Sequence, residues 1–110
     1  MAPDGLSSQL EGGVTQAASW ALKEEVTFDA QGLTSLDWET YPILTIAEAP
    51  EVEVVLIDRP SEPILGCGEA PQGPTPAAIA NAVFDATSIR LRQMPFNPER
   101  VLEEFGARQE

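Results

Sequence analysis

The chain has 110 residues, with 18 Asp and Glu against 6 Lys and Arg, no His and one Cys, for a formal charge of -12. The length suits one domain with a modest core, and 43% apolar with 22% charged residues is the composition of a globular chain rather than a disordered one. A single lysine, Lys23, argues against nucleic acid and against anionic membrane surfaces; with no His and one Cys, internal disulfides, protein-ligated zinc and Ser-His or Cys-His catalysis are all disfavoured or excluded. No apolar run approaches the roughly 18 residues that a membrane span needs. The N-terminal residues show no basic stretch followed by an apolar core, so no secretory signal is expected there.

Met1 to Gly5 reads as a flexible lead. Ser8 with Glu11 has capping-box spacing, and Leu10, Val14, Ala17, Ala18, Ala21 and Leu22 recur at helical intervals. A helix is predicted over 8–23. Gly12-Gly13 is costly inside it, at about 1 kcal/mol per Gly relative to Ala. Either the helix frays there and begins after Gly13, or the backbone is approached closely by another surface or a ligand.

Residues 25–29 alternate polar and apolar and predict a strand, closed by a turn from Asp29 to Gly32. Leu33 to Tyr41 reads as irregular, with Leu33, Leu36, Trp38 and Tyr41 expected to pack on something. Ile43 to Ile46 suggests a short extended segment. Residues 51–58 form the best strand pattern, alternating at first and then continuously apolar, as if covered on both faces. Thr75-Pro76 predicts a helix over 76–87, widely buried through Ile79, Ala80, Ala82, Val83, Phe84 and Ala86. Residues 89–93 alternate again. Asn97-Pro98 repeats the cap-plus-proline signature and opens a short helix over 98–105 closed by Gly106. Three helices on a small mixed sheet (strands 25–29, 51–58 and 89–93) make the class α+β.

Between residues 64 and 74, six of eleven positions are Gly, Pro or Cys. Gly66-Cys67-Gly68-Glu69 is the one stretch that looks built for a site. Two glycines let the backbone approach a ligand, an acid follows at once, and a helix N-terminus lies just downstream. The plainer account is a surface loop with Glu69 among the solvated acids. Cys67 has no base to activate it and reads as a small, partly buried residue. Trp20 and Trp38 read as core or interface rather than substrate stackers. The acidic runs at Glu24-Glu25 and Glu103-Glu104 read as solvated faces.

Several separated motifs share one resemblance. Gln9-Leu10-Glu11-Gly12-Gly13, the stretch Gln16 to Glu25, Tyr41-Pro42-Ile43-Leu44, Gly66-Cys67-Gly68-Glu69-Ala70 and Ala77 to Ala82 occur in the order and spacing of molybdenum hydroxylase large subunits. The chain resembles the C-terminal part of these proteins, the xanthine dehydrogenase and aldehyde oxidoreductase relatives. Within them it is most similar to the branch that holds the isoquinoline 1-oxidoreductase β-subunit. The resemblance runs from about Pro3 to Val101. It implies that residues 1–110 form a C-terminal segment of a molybdopterin-binding domain. It implies that Glu69 is the active-site base for hydroxylation of an N-heterocycle or an aldehyde, a role that asks for a partly desolvated carboxylate. It implies that Gln9, Gly12, Gly13, Gly66 and Gly68 face the cofactor, with Gln9 offering an uncharged donor and acceptor. No residue of the chain is expected to ligate the metal.

The cofactor implied is molybdopterin with molybdenum, expected as the cytosine dinucleotide, in the full enzyme. None is expected on this chain alone. The implied partners are the rest of the large subunit and, indirectly, an iron-sulfur subunit. The implied setting is the bacterial cytoplasm or periplasm. Cys67 stands where the family has Ala or Val, and Ser88 where many members have Gly. Family large subunits are several times longer, so most pocket walls would lie elsewhere and this piece is expected to be inactive alone. The alternative is an acidic interaction module that keeps the fold without catalysis. In either case Trp20, Trp38, Tyr41 and the Ala-rich helix are candidates for apolar surface left exposed.

Overall fold

Helix α1 spans Pro3–Leu22 in the computed structural model, which describes residues 2–107. Pro3 stands at its start, where a missing N–H is no loss, and Asp4 sits in the first turn at the positive end of the helix dipole. The helix therefore begins well ahead of the predicted Ser8. The stretch read as a flexible lead is helical from Pro3, and the Ser8–Glu11 pair lies inside the helix. Gly12 and Gly13 are interior residues, so the frayed-turn account is wrong.

The face that α1 buries is made of small residues: Gly13, Ala17, Ala18, Ser19 and Ala21. Small residues let neighbouring backbone come close, and the rest of the chain docks on this helix. Pro71 lies over Gly13; a Cβ built on Gly13 would stand 2.9 Å from the proline Cγ. The Leu44 amide donates to the Ser19 hydroxyl at 3.0 Å. The Phe96 amide donates to the Ala21 carbonyl at 2.6 Å. Three further ties lie just past the helix end: Lys23 pairs with Glu48, Arg100 pairs with Glu25, and the Tyr41 hydroxyl donates to Glu24 Oε2 at 2.8 Å.

Strand β1 (Phe28–Asp29) pairs antiparallel with β2 (Gly32–Leu33), Phe28 opposite Leu33 and Asp29 opposite Gly32. The turn is where the sequence places it. Asp29 Oδ1 accepts from the amides of Gln31 and Gly32, and Gly32 takes φ 134°, a conformation that strains any residue with a side chain. The predicted strand 25–29 thus shrinks to its last two residues, and its partner comes from a stretch read as irregular. Leu33, Leu36 and Trp38 do not pack: they are 61%, 76% and 75% exposed. Ile46–Glu48 is a 3₁₀ turn closed by a capping box, with Thr45 and Glu48 side chains each bonding the other's backbone.

Helix α2 (Pro74–Thr87) packs against α1. It starts at Pro74, ahead of the predicted Thr75 cap, and ends at Ser88, which has left-handed φ 58°. None of its residues is buried, contrary to the wide burial predicted, because only one side meets α1. Helix α3 (Pro98–Gly106) is capped as predicted: the Asn97 side chain accepts from the Arg100 amide at 3.0 Å. Gly106 is its last residue rather than a cap.

The class is α+β with three helices, but two predicted strands are corrected. Residues 51–58 and 89–93 join no ladder; among the described residues the sheet has only β1 and β2. The alternation in 89–93 is real, since Ile89 and Leu91 are buried while Arg92 is exposed. It reports a face, not a hydrogen-bonded neighbour.

The core is small. Among the described residues its buried apolar side chains are Ala17, Ala18, Ala21, Ile89 and Leu91, with the rings of Pro71 and Pro95. The chain exposes 8320 Å², whereas a monomer of 11.8 kDa exposes about 5,900 Å². Its radius of gyration is 17.3 Å, against about 13 Å for a compact domain of this length.

Two outcomes follow from this packing. Gly12→Ala meets open space in a helix interior and should stabilise the chain by about 1 kcal/mol. Gly13→Ala drives a methyl into Pro71 and should destabilise it by about 1–3 kcal/mol; urea unfolding of the two variants checks the contrast. The Glu48 carboxylate accepts from Lys23 and from the Thr45 amide and hydroxyl, which holds its pKa down from 4.5 to about 2. A depressed carboxylate contributes stability that is present above about pH 4.5 and lost as pH falls through about 2. Carbon-13 titration of the Glu48 side chain should place its midpoint near 2, and Lys23→Met should move it up.

Candidate functional site

The loop that precedes α2 is built around Pro71. Its ring is buried on Gly13. Its carbonyl accepts the Thr75 amide at 3.0 Å, and the Glu69 carbonyl accepts the Gln72 amide at 3.1 Å. The turn 69–72 is therefore closed by its own backbone, fastened below to α1 and continued above into α2. Gly66, Gly68 and Glu69 ride on this anchored turn.

Gln9 lies one helical turn before Gly13, on the same side of α1. Its side-chain oxygen Oε1 would be 3.6 Å from a Cβ built on Gly68. The structure thus brings together two motif residues that are far apart in sequence. Gln9 is exposed, and its amide has no hydrogen-bond partner among the described residues. It presents a donor and an acceptor outward beside the Gly68 backbone. Gly66 also faces open space.

Glu69 is exposed, and its carboxylate makes no hydrogen bond or ion pair among the described residues. The desolvation that a carboxylate base needs is not supplied within this chain. Cys67 is a half-buried free thiol, in keeping with its reading as a small semi-buried residue.

The two remaining glycines part company. Gly13 is filled by Pro71, so a contact within the chain accounts for it. Gly12 borders a different hollow, shared with Ser19, Trp20, Trp38 and Tyr41. Among the described residues no three Asp, Glu or Cys side chains gather to hold a metal ion. The residue that sequence reasoning missed is Pro71. No local signal marks it, because its partner Gly13 lies far away along the chain and a helical glycine need not have a close neighbour, as Gly12 shows.

No family model matches the chain. It is 45% identical over 104 residues to a nicotinate dehydrogenase chain of Pseudomonas putida, covering 94% of this chain and 9% of that protein. It is 34% identical to the putative xanthine dehydrogenase molybdenum-binding subunit of Escherichia coli, over 88% of this chain and 14% of the relative. The isoquinoline 1-oxidoreductase β-subunit of Brevundimonas diminuta is 31% identical over 87% of this chain and 12% of its own length. The crystal structure of quinoline 2-oxidoreductase from Pseudomonas putida 86 superposes with a TM-score of 0.79 at 27% identity, covering 94% of this chain and 14% of that one. The chain therefore spans a small fraction of the proteins it matches. In sequence and in backbone shape it corresponds to one segment of the molybdenum hydroxylase large subunits, the family that includes xanthine dehydrogenase and aldehyde oxidoreductase.

Proposed function

We propose that the chain serves as a C-terminal segment of a molybdopterin-binding domain, supplying the active-site base of a hydroxylase. The observation that carries this reading is the juxtaposition of Gln9 with Gly68, one residue before Glu69. An uncharged amide, bare backbone and a carboxylate form one exposed edge. That edge has room for a polar cofactor laid across it: Gln9 can donate to or accept from it, while Gly66 and Gly68 put no side chain in its way. Gln9, Gly66 and Gly68 would hold the cofactor. Gly12 faces its own hollow and would reach the cofactor only at the margin, and Gly13 acts through Pro71, whose seating sets the height of the turn.

When bound, the molybdenum cofactor supplies the redox centre that takes up the substrate's electrons. The role of this chain is the proton. Glu69 accepts it at its carboxylate as oxygen is transferred to an electron-poor carbon of an N-heterocycle or an aldehyde. The turn 69–72 fixes where that carboxylate stands. The rest of the large subunit and the bound cofactor exclude water from it and bring its proton affinity toward the working pH. The isolated chain, lacking those walls, is inactive.

Glu69→Gln, made in the assembled enzyme, preserves size and polarity while removing the base. Turnover should fall by about 10²–10⁴-fold, with molybdenum content and assembly unchanged. Unchanged turnover would favour an acidic interaction module that keeps the fold without catalysis. Stoichiometric molybdenum and substrate oxidation in the purified 110-residue chain would refute the dependence on a larger subunit.

A further inference from the structure

Residues 51–59 run without a turn or bend. Among the described residues no hydrogen bond joins any of residues 50–58 to another group. Their burial nevertheless alternates over 51–55, and beyond it Leu56 is still less exposed, at 41%, than its neighbours Val55 and Ile57. Val52 and Val54 are half-buried, while Glu53, Val55 and Ile57 are exposed, the last two by 78% and 81%. This is a strand's side-chain geometry without a strand's neighbour. The backbone offers a row of free N–H and C=O groups, and three β-branched residues among Val54 to Ile57 favour pairing.

We propose that Glu51–Asp58 is a pairing edge, and that its occupant is a β-strand of the remainder of the molybdenum hydroxylase large subunit. The inference rests on the reading of the chain as one segment of that subunit. Two observations select the occupant. First, the chain shares its backbone shape, over 94% of its length, with a protein of which it covers 14%. The extended conformation is therefore that of a segment set among a much larger body of chain. Second, a second copy of this chain is a poor partner. Each copy carries -12, and pairing two of these segments brings Glu51, Glu53 and Asp58 toward one another's carboxylates. Like charges across a strand pair are destabilising.

The burial pattern also says what the occupant's sheet does. The Val52 and Val54 face is already half covered by this chain. The Val55 and Ile57 face is open, so the sheet that this strand joins must be covered there by a second layer. The arm that follows the Arg59–Glu62 turn carries Ile64 and Leu65, which are 74% and 78% exposed. It borders the same hollow as Leu56 and Ile57. Docking of the strand would thus reach along the chain toward Gly66 and Glu69.

The test is amide hydrogen exchange on the isolated chain and on the native molybdenum enzyme that contains it. In the isolated chain, amides 52–57 should exchange within about tenfold of free-peptide rates. In the enzyme, alternate amides of that run should slow by about 100-fold or more. Val54→Pro and Val55→Pro supply a second readout, since neighbouring amides point to opposite edges. One of the two should cut incorporation into the enzyme by about tenfold or more, while Ser61→Ala in the turn should not. Fast exchange of 52–57 in the intact enzyme, or normal incorporation of both proline variants, overturns the pairing and leaves the large-subunit reading standing. Protection that appears in the isolated chain and grows with its concentration also overturns it, in favour of self-pairing. A native chain that co-purifies with neither molybdenum nor other large-subunit sequence overturns both.

Discussion

The seating of Pro71 on Gly13 is the contact on which the candidate site depends. Carrying a helix through two glycines costs about 2 kcal/mol relative to alanines, and at Gly13 the cost is offset by a proline ring that no side chain would leave room for. Because Pro71 sits two residues after Glu69, that one contact fixes the turn 69–72 against α1. Because Gln9 is one helical turn before Gly13, it also sets Gln9 beside Gly68. The site is thus a by-product of how closely a loop can approach a helix.

The same helix explains the rest of the architecture. Its buried face contains nothing larger than alanine or serine, so the segments that dock on it come close to its backbone. The Leu44 amide reaches the Ser19 hydroxyl, and the Phe96 amide reaches the Ala21 carbonyl. Charged side chains at positions 23–25 then tie down the 3₁₀ turn, Tyr41 and Arg100. Such contacts orient segments well but bury little apolar area. A core whose largest members are Ile89 and Leu91 cannot hide Trp38, Val55, Ile57, Ile64 and Leu65, all of which remain largely exposed. An apolar surface of this extent is what a segment shows when the layers that cover it belong to other parts of a fold.

The same division explains which features are legible in the sequence and which are not. Local signals succeed where the local chain decides the outcome: Asn97-Pro98 caps α3, and Asp29 to Gly32 makes the turn. The end of α2 near Ser88 is legible for the same reason. The start of α1 is not, because Pro3 and Asp4 look like a loose terminus unless the helix beyond them is allowed to pass through Gly12-Gly13. The strands at 51–58 and 89–93 fail for a different reason. Alternation tells which side chains share a face, and at Ile89 and Leu91 it tells correctly. It carries nothing about whether a neighbouring strand is present. Within the site, the residues alone point to Gly66–Glu69. Gln9 comes only through resemblance, because an exposed glutamine on a helix has no signature of its own. Pro71 stays hidden because its meaning lies in a contact with a residue far away in sequence.

The exposed position of Glu69 separates two things a catalytic carboxylate requires. Placement is local: the 69–72 turn, the buried Pro71 and the start of α2 hold the backbone of Glu69 at one height above α1. Enclosure is not local, since among the described residues Glu69 is exposed and its carboxylate has no hydrogen-bond partner. On the proposed reading the division is an advantage. A carboxylate desolvated within its own segment would weaken that segment before assembly, when the core can least bear it. One left in water until the remaining layers close over it becomes a base only where a substrate can be bound. The unpaired edge at 51–58 fits the same order of events, because the surface proposed to complete the fold lies on the chain just ahead of the loop that carries Glu69.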